Sequence, residues 1–267
     1  MTEKTYAVLD RPEVQGVLFY PRREAGVPRL VSGVHNVRIP VDGDLSVGAK
    51  IYAAQPGAPV IVYFHGNGEI ASDYDSIAPL YTALGITLFV IDYRGYGASD
   101  GEPTSSALIN DARTSFRQVR DVLADKGVGG GDLYVMGRSL GSAAAMEVVD
   151  TCRDDLAGLI IESGFAHTFA LIERIGYLQV PGAEEARDGF GNLEKIARAD
   201  LPTLIIHGER DWIIPVGDGI DLYEASPAAD KTLVKVPGAG HNDLLMAGRG
   251  LYFNAIAKIC GRTETAD

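Results

Sequence analysis

A chain of 267 residues with a formal net charge of −12 has the length of one α/β domain and repels nucleic acids and anionic membrane surfaces. Its apolar content of 46% and charged content of 22% are those of a globular protein, which excludes disorder along most of the chain. We therefore expect a single folded domain that does not bind nucleic acid.

The cysteines and the apolar runs bear on redox state and location. Cys152 and Cys260 fall late in two predicted helices and lack the spacing of a metal site, so we expect two free thiols and no metal. No apolar stretch reaches about 18 residues, and the N-terminus leads into no long apolar segment, so we expect no membrane-spanning segment. These features favour a soluble, cytoplasmic protein without a bound cofactor.

In chain order, the first thirty or so residues contain Pro12, Pro21 and Pro28 and predict an irregular leading arm. Residues 34–40 and 49–53 then predict an antiparallel pair at one end of a sheet. Beyond them, short continuously apolar runs alternate with helical stretches, which is typical of parallel strands buried on both faces. This pattern predicts an α/β fold, with a mostly parallel central sheet and helices on both faces. The runs lie at 60–64, 86–91, 133–136, 159–161, 203–206 and 232–236, and the predicted helices at 72–84, 105–126, 140–152, 216–225 and 242–259.

An unusually long connection of about forty residues separates the fourth and fifth of these apolar runs. It predicts a small cap insertion at about residues 163–200. Within it, Phe165, Phe169, Ile172 and Ile175 recur at helical spacing and would give a helix one apolar face. Two interpretations of this face stay open: packing on the core, or a substrate pocket lined by Phe165, Phe169 and Ile172.

The turn Gly137-Arg138-Ser139-Leu140-Gly141 follows the third run and precedes an alanine-rich helix. A strand, a sharp turn and a helix around a G-x-S-x-G sequence form a nucleophile elbow, which exposes the serine hydroxyl above the sheet. A strained backbone at Ser139 brings its neighbours close, so that a Cβ at either flanking glycine would clash. The setting predicts Ser139 as a nucleophile, although the bare pattern also occurs by chance.

A serine hydroxyl is a poor nucleophile unless a base takes its proton and a third group orients that base. His241 follows the last apolar run and a flexible loop, at the edge where an α/β sheet displays its reactive groups. Asp211 lies directly past the fifth run and is the favoured acid. Glu162 directly follows the fourth run and is the alternative.

The chain order Ser139, Asp211, His241, each beyond a predicted strand, resembles the α/β-hydrolase family, whose triad runs serine, acid, histidine. Two further stretches resemble signature turns of small serine esterases: His-Gly-Asn-Gly at 65–68 and Asp-Tyr-Arg-Gly-Tyr-Gly-Ala-Ser at 92–99. The resemblance covers most of the chain. It is greatest to the compact esterase, thioesterase and depalmitoylase-like members.

That resemblance implies an oxyanion hole made by the backbone N–H groups of Leu140 and Asn67. It also implies that His65, Asp92 and Arg94 hold turns rather than take part in catalysis. The implied activity is hydrolysis of small-molecule carboxylic esters or thioesters through an acyl-enzyme at Ser139.

Two alternatives remain beside this hydrolase hypothesis. The turn at residues 66–71 matches the dinucleotide fingerprint G-x-G-x-x-A, with Asp92 at the end of the next run, which is typical of an NAD-binding oxidoreductase. However, it lies beyond an antiparallel pair and some sixty residues of chain, and it leaves the triad candidates unexplained. The other alternative is a catalytically silent binding protein of the same fold. The presence of all three triad candidates favours the enzyme.

Overall fold

The centre of the protein is a sheet of eight strands, in a computed structural model that describes residues 5–25 and 32–263. The strands are β1 Val34–Asp42, β2 Leu45–Tyr52, β3 Val60–Phe64, β4 Thr87–Ile91, β5 Leu133–Arg138, β6 Gly158–Glu162, β7 Thr203–Gly208 and β8 Lys231–Val236. They lie in the spatial order β1-β2-β4-β3-β5-β6-β7-β8. The pairs β1–β2 and β2–β4 are antiparallel and the other pairs parallel. The predicted antiparallel end and mostly parallel sheet are confirmed.

Burial of both faces of the sheet explains why the strand sequences are continuously apolar. Successive side chains of a strand point to opposite faces. On β3, Val60, Val62 and Phe64 pack into one apolar cluster, while Ile61 and Tyr63 pack into the other. Each of these five side chains is at most 1% exposed.

Strands β5 and β7 each extend two residues beyond the predicted apolar runs. Their additional residues include Arg138 and His207, which an apolar pattern excludes. Parallel pairing nevertheless continues, since Arg138 lies opposite Glu162 and His207 opposite Lys235. These extensions carry polar side chains to the carboxyl edge of the sheet.

Helices cover both faces of the sheet, as predicted. On one face, α2 and α9 pack against the apolar cluster that contains Ile61, and on the other α3, α4 and α8 pack against the cluster that contains Val62. Their bounds are α2 Ala78–Ala83, α3 Ser105–Asp125, α4 Gly141–Cys152, α8 Val216–Ala225 and α9 Leu244–Ile259.

The predicted helix at residues 72–84 is in fact two short helices. A 3₁₀ helix at Ala71–Ser76 precedes α2. Pro79 lies in the first turn of α2, where its missing N–H is tolerated. Because proline cannot donate the hydrogen bond that would continue the preceding turn, the helix begins anew at this point.

The prediction of an irregular leading arm is wrong over part of its length. Helix α1 spans Pro12–Leu18, and its residues Val14 and Leu18 are at most 1% exposed. Proline at the first helical position favours a helix start rather than irregular chain. Pro28, part of the same prediction, lies outside the described residues.

The long connection between β6 and β7 contains three short helices: α5 Thr168–Gly176, α6 Glu185–Asp188 and α7 Asn192–Ile196. Helix α5 contacts α1, and α7 contacts α4. The leading segment and the predicted cap region therefore contact each other through α1 and α5.

Both cysteines are free and buried, as expected. Burial raises the pKa of the Cys260 thiol to about 12, so this group packs as a small apolar side chain. Within residues 5–25 and 32–263, no helix combines the length and the apolar character needed to cross a membrane.

Candidate active site

Ser139 lies on a strained turn between β5 and α4, with a φ of +52°. The turn is anchored by a 2.9 Å hydrogen bond from the Ser139 N–H to the Glu162 carbonyl. A Cβ on Gly137 would lie 2.4 Å from the Gly141 carbonyl oxygen, and a Cβ on Gly141 would lie 2.1 Å from the Phe64 carbonyl oxygen. Glycine is therefore required at both flanks, for the steric reason that the sequence predicted.

The structure brings Ser139, His241 and Asp211 into one hydrogen-bonded chain. His241 Nε2 lies 3.0 Å from Ser139 Oγ, and His241 Nδ1 lies 2.7 Å from Asp211 Oδ2. The three residues follow β5, β8 and β7, whose carboxyl ends lie at the same edge of the sheet. The Asp211 and His241 side chains are almost fully buried, so water competes little for these contacts.

Asp211 is held as an ionised carboxylate by its own loop. Its Oδ1 accepts hydrogen bonds from the N–H groups of Ile213 and Ile214, at 2.9 and 2.8 Å. Burial alone would raise the pKa of Asp211, but hydrogen bonds from His207, His241 and Ile214 outweigh it and hold the pKa well below its ordinary value. The buried His207 also lies 2.8 Å from the Ile214 carbonyl oxygen through Nε2, so it braces this loop.

The two predicted oxyanion donors lie on the same cavity as Ser139. Leu140 and Asn67 both line it, and neither of their backbone N–H groups is used by another hydrogen bond in the part of the chain that the structure describes. The Asn67 side chain fixes the turn, since its Oδ1 accepts hydrogen bonds from the Tyr20 N–H and the Tyr96 hydroxyl, both at 2.7 Å. Such a rigid turn can present an N–H to a developing charge.

Sequence reasoning missed Arg138, which joins four parts of the site. Its Nε lies 3.1 Å from Glu162 Oε1, and its Nη1 lies 2.6 Å from Glu69 Oε1. Its Nη2 donates to the His241 carbonyl at 3.0 Å and to Asn242 Oδ1 at 2.8 Å. The guanidinium thus connects the elbow, β6, the turn after β3 and the histidine loop. The signal in the sequence is a cation, Arg138, directly before the elbow serine, together with an acidic residue, Glu69, in the turn after β3.

Glu162, the alternative acid, is committed to other partners. Besides Arg138, it accepts a 2.7 Å hydrogen bond from the Tyr252 hydroxyl and lies 3.3 Å from the Tyr63 hydroxyl. Asp211, and not Glu162, contacts the ring of His241. Asp243, two residues beyond His241, starts α9 and accepts the Gly240 N–H.

Replacing Arg138 by methionine is expected to lower the free energy of unfolding by about 3–5 kcal/mol, because it leaves the buried Glu162 and the partly buried Glu69 without their cation. Burial would raise the pKa of Glu69, but the charge of Arg138 and the Tyr74 hydroxyl lower it, so this carboxylate is ionised in the folded protein. Urea unfolding at neutral pH measures the effect.

Arg198→Met is the control, since Arg198 pairs with Asp150 at the surface with 54% of its side chain exposed. Its loss is expected to stay below about 1 kcal/mol. Equal losses in the two variants would contradict the structural importance of Arg138.

The cavity next to Ser139 has a volume of about 350 Å³. Its polar residues include Ser139, Asn67 and His241, and its apolar residues come from α1 and the residue after it, the elbow, α5 and the loop after β7. The apolar residues are Val17, Leu18, Phe19, Leu140, Leu171, Ile175 and Ile213.

The predicted pocket residues do not line this cavity. Phe165 and Ile172 are fully buried in the core, and Phe169 is half-buried against it. Ile175, a member of the predicted apolar face, lines the cavity instead, together with Leu171 one turn earlier on α5. The predicted face therefore packs on the core through Phe165 and Ile172 and reaches the cavity at its last residue, Ile175.

The three residues predicted to hold turns contact other parts of the chain, and Arg94 Nε lies 2.6 Å from Asp111 Oδ2. His65 Nε2 lies 3.2 Å from Asp92 Oδ1, and Asp92 accepts the Ala71 N–H at 2.8 Å. A Cβ on Gly66 would lie 2.4 Å from Arg138 Nη1. In a dinucleotide site this turn would leave space for a pyrophosphate, but here side chains of the protein fill it.

A mostly parallel sheet with a serine on an elbow after β5, and with the histidine and acid after later strands, defines an α/β hydrolase. The chain belongs to the hydrolase family described as serine aminopeptidase, S33, whose model matches residues 55–179 and 183–245. The predicted membership of the α/β-hydrolase family is therefore confirmed.

Individual relatives agree with this family. The chain is 32% identical to the alpha/beta hydrolase domain-containing protein aho-3 of Caenorhabditis elegans over 69% of this chain and 52% of that protein, so it spans about half of that relative. It is 29% identical to protein bem46 of Schizosaccharomyces pombe over 77% of this chain and 68% of that protein. The fold is similar to that of the Pyrococcus furiosus esterase Pf2001, with a TM-score of 0.71 and 15% identity over 90% of this chain and 98% of the other.

Proposed function

We propose that this protein is a serine hydrolase that cleaves carboxylic esters or thioesters of small to medium acyl groups. The observation that carries the proposal is the chain of contacts from Ser139 Oγ to His241 Nε2, at 3.0 Å, and from His241 Nδ1 to Asp211 Oδ2, at 2.7 Å. This is the arrangement that activates a serine hydroxyl.

In the proposed mechanism, Ser139 attacks the carbonyl carbon while His241 takes its proton. Asp211, held ionised by its loop, stabilises the imidazolium that forms. The N–H groups of Leu140 and Asn67 receive the developing oxyanion, and losing one such donor costs about 3 kcal/mol. His241 then protonates the leaving group, and water activated by the same histidine releases the acid.

The apolar cavity beside Ser139 is proposed to hold the acyl group. Leu171 and Ile175, from the segment at about 163–200, form part of its wall. In this role the segment acts as a cap over the site. Burial of each methylene of an acyl chain against such a wall contributes about 0.8 kcal/mol, which favours substrates long enough to fill the cavity.

The test uses the purified protein, a fluorophosphonate probe and p-nitrophenyl esters of increasing acyl length. Labelling and ester turnover are the expected results, with thioesters of the same acids compared in parallel. Amino-acid p-nitroanilides form a third arm, and faster turnover of these amides would contradict an ester hydrolase. Absence of both labelling and turnover would favour the catalytically silent alternative.

The Ile175→Trp variant is expected to shift the acyl optimum to shorter chains, since a larger side chain fills part of the cavity. We expect kcat/KM for p-nitrophenyl octanoate to fall roughly tenfold relative to the acetate. Tyr177→Trp is the control, because Tyr177 lies two residues away and is 94% exposed. An unchanged profile in Ile175→Trp would place the acyl group elsewhere.

A further inference from the structure

A second cavity, of about 280 Å³, adjoins the first at His241. The two share one wall, which consists of Glu69, Arg138, His241 and Asn242. In the part of the chain that the structure describes, Ser139 and the two oxyanion residues, Leu140 and Asn67, do not line the second cavity. It therefore lies on the histidine side of the site rather than on the nucleophile side.

The second cavity differs from the first in chemistry, because four tyrosines line it. The Tyr74 hydroxyl lies 2.7 Å from Glu69 and 3.1 Å from the Tyr63 hydroxyl. The Tyr252 hydroxyl donates to Glu162 at 2.7 Å and lies 2.9 Å from the Tyr81 hydroxyl. Tyr74 and Tyr252 direct their protons at carboxylates, so the Tyr81 hydroxyl donates to the Tyr252 oxygen, and the oxygens of Tyr74 and Tyr81 keep lone pairs that can accept further hydrogen bonds.

The charged side chains that line the second cavity also restrict what can bind there. Glu69, Asp73 and Glu162 line the second cavity, where Arg138 pairs with the two glutamates, and Arg22 pairs with Asp73 from outside the lining. Arg138 directs its donors at Glu69, Glu162, the His241 carbonyl and Asn242. The lining of the second cavity is therefore rich in hydrogen-bond acceptors and carries a net negative charge. It suits a neutral group with several hydrogen-bond donors and repels an anion.

The mechanism assigns the two cavities to the two halves of an ester. During acylation His241 gives its proton to the leaving oxygen, so the alcohol lies on the histidine side. The exposed Asn242 lines both cavities. An ester can therefore lie across Asn242, with its acyl part beside Ser139 and its alcohol part in the second cavity.

We propose that the second cavity is an alcohol-side subsite and that the preferred substrates are esters of a neutral polyol. This inference rests on the proposed function. In the reaction, the bond from Ser139 Oγ to the acyl carbon forms and the bond from that carbon to the polyol oxygen breaks. The leaving oxygen takes the proton that His241 received from Ser139, and water then hydrolyses the acyl-enzyme to the acid and free serine.

Two substrates with the same acyl group and the same three-carbon alcohol skeleton test this subsite: glyceryl monobutyrate and propyl butyrate. We expect kcat/KM to be at least about tenfold higher for the glyceryl ester, since the propyl group cannot donate the additional hydrogen bonds that the two free hydroxyls of the glyceryl group can make to the acceptors of the second cavity. A ratio near one, or a higher kcat/KM for the cationic ester butyrylcholine, would overturn the polyol assignment.

Leu245→Trp is expected to bring this ratio towards one, because Leu245 lines only the second cavity of the two and a larger side chain fills it. Leu251→Trp, on the same helix α9 but 52% exposed and lining neither cavity, keeps the ratio of the unaltered protein. Tyr74→Phe, which removes one hydroxyl from the lining of the second cavity, provides a second variant. It is expected to lower the ratio of kcat/KM for the glyceryl ester to that for the propyl ester severalfold. An undiminished ratio in both Leu245→Trp and Tyr74→Phe would overturn the placement of the subsite.

Acyl transfer in the unaltered protein gives an independent measurement. The butyryl-enzyme formed from p-nitrophenyl butyrate is offered glycerol or 1-propanol at equal concentration, and glyceryl butyrate is expected to exceed propyl butyrate. Equal yields with continued hydrolysis of p-nitrophenyl butyrate overturn this inference alone. No turnover of p-nitrophenyl butyrate overturns the proposed function, and the subsite with it.

Discussion

The Ser139→Ala variant is expected to lose all fluorophosphonate labelling and to hydrolyse p-nitrophenyl butyrate about 10⁶-fold more slowly in kcat. Alanine has no hydroxyl to attack the carbonyl, so the acyl-enzyme cannot form. The oxyanion donors at Leu140 and Asn67 remain, and they leave a residual rate above that in water. Labelling is read on a gel and turnover from the release of p-nitrophenol.

The loss in Ser139→Ala should be chemical rather than structural. Ser139 Oγ contacts His241, and alanine can occupy the same turn with the same backbone strain at a φ of +52°. We therefore expect thermal unfolding close to that of the unaltered protein. Ser142→Ala is the matched control, since the Ser142 hydroxyl donates to the Ser139 carbonyl in the same turn. Labelling that persists in Ser139→Ala would exclude Ser139 as the nucleophile.

The Asp211→Asn variant is expected to reduce kcat by about 10⁴-fold. Asp211 Oδ1 already accepts the N–H groups of Ile213 and Ile214, so the asparagine oxygen is expected to take that position. The new NH₂ group would then face His241 Nδ1 and favour the tautomer with its proton on Nε2. That tautomer cannot accept the proton of Ser139, and kcat for p-nitrophenyl butyrate measures the loss.

Two further variants separate the acid from its neighbours. Asp243→Asn changes a carboxylate two residues from His241 that accepts the Gly240 N–H, and its kcat should change far less. Glu162→Gln tests the alternative acid and is expected to act mainly on stability, since Glu162 pairs with Arg138. A 10⁴-fold loss in Glu162→Gln, with a near-normal Asp211→Asn, would reverse the assignment.

Local sequence patterns predicted the sheet because each pattern has a local cause. A strand buried on both faces must be apolar throughout, as in Val60 to Phe64, and the turn at Ser139 needs glycine on both sides. The same patterns placed each parallel strand in the chain, although β5 and β7 continue two residues past their apolar runs. The positions of Asp211 and His241 at one edge of the sheet therefore followed from the chain order alone.

Packing between distant segments decided the remaining features. Helix α1 supplies Val17 and Leu18 to the cavity, but its proline-rich sequence predicted an irregular arm. Periodicity defined an apolar face without its direction, and the fold turned Ile172 of α5 into the core and placed its neighbour Leu171 on the cavity. A one-residue difference on a helix rotates a side chain by about 100°, which is enough to exchange core for cavity.

By itself, the sequence determined the class of fold and the three residues of the candidate triad, because these depend on strand order and on single turns. Only the tertiary structure decided the wall of the acyl cavity, the contacts of Arg138 and the tyrosine-lined second cavity. Glu69, Arg138 and Tyr252 are far apart in the chain, and no local pattern encodes their meeting. Their contacts arise when the sheet brings the ends of β3, β5 and β6 together beneath α9.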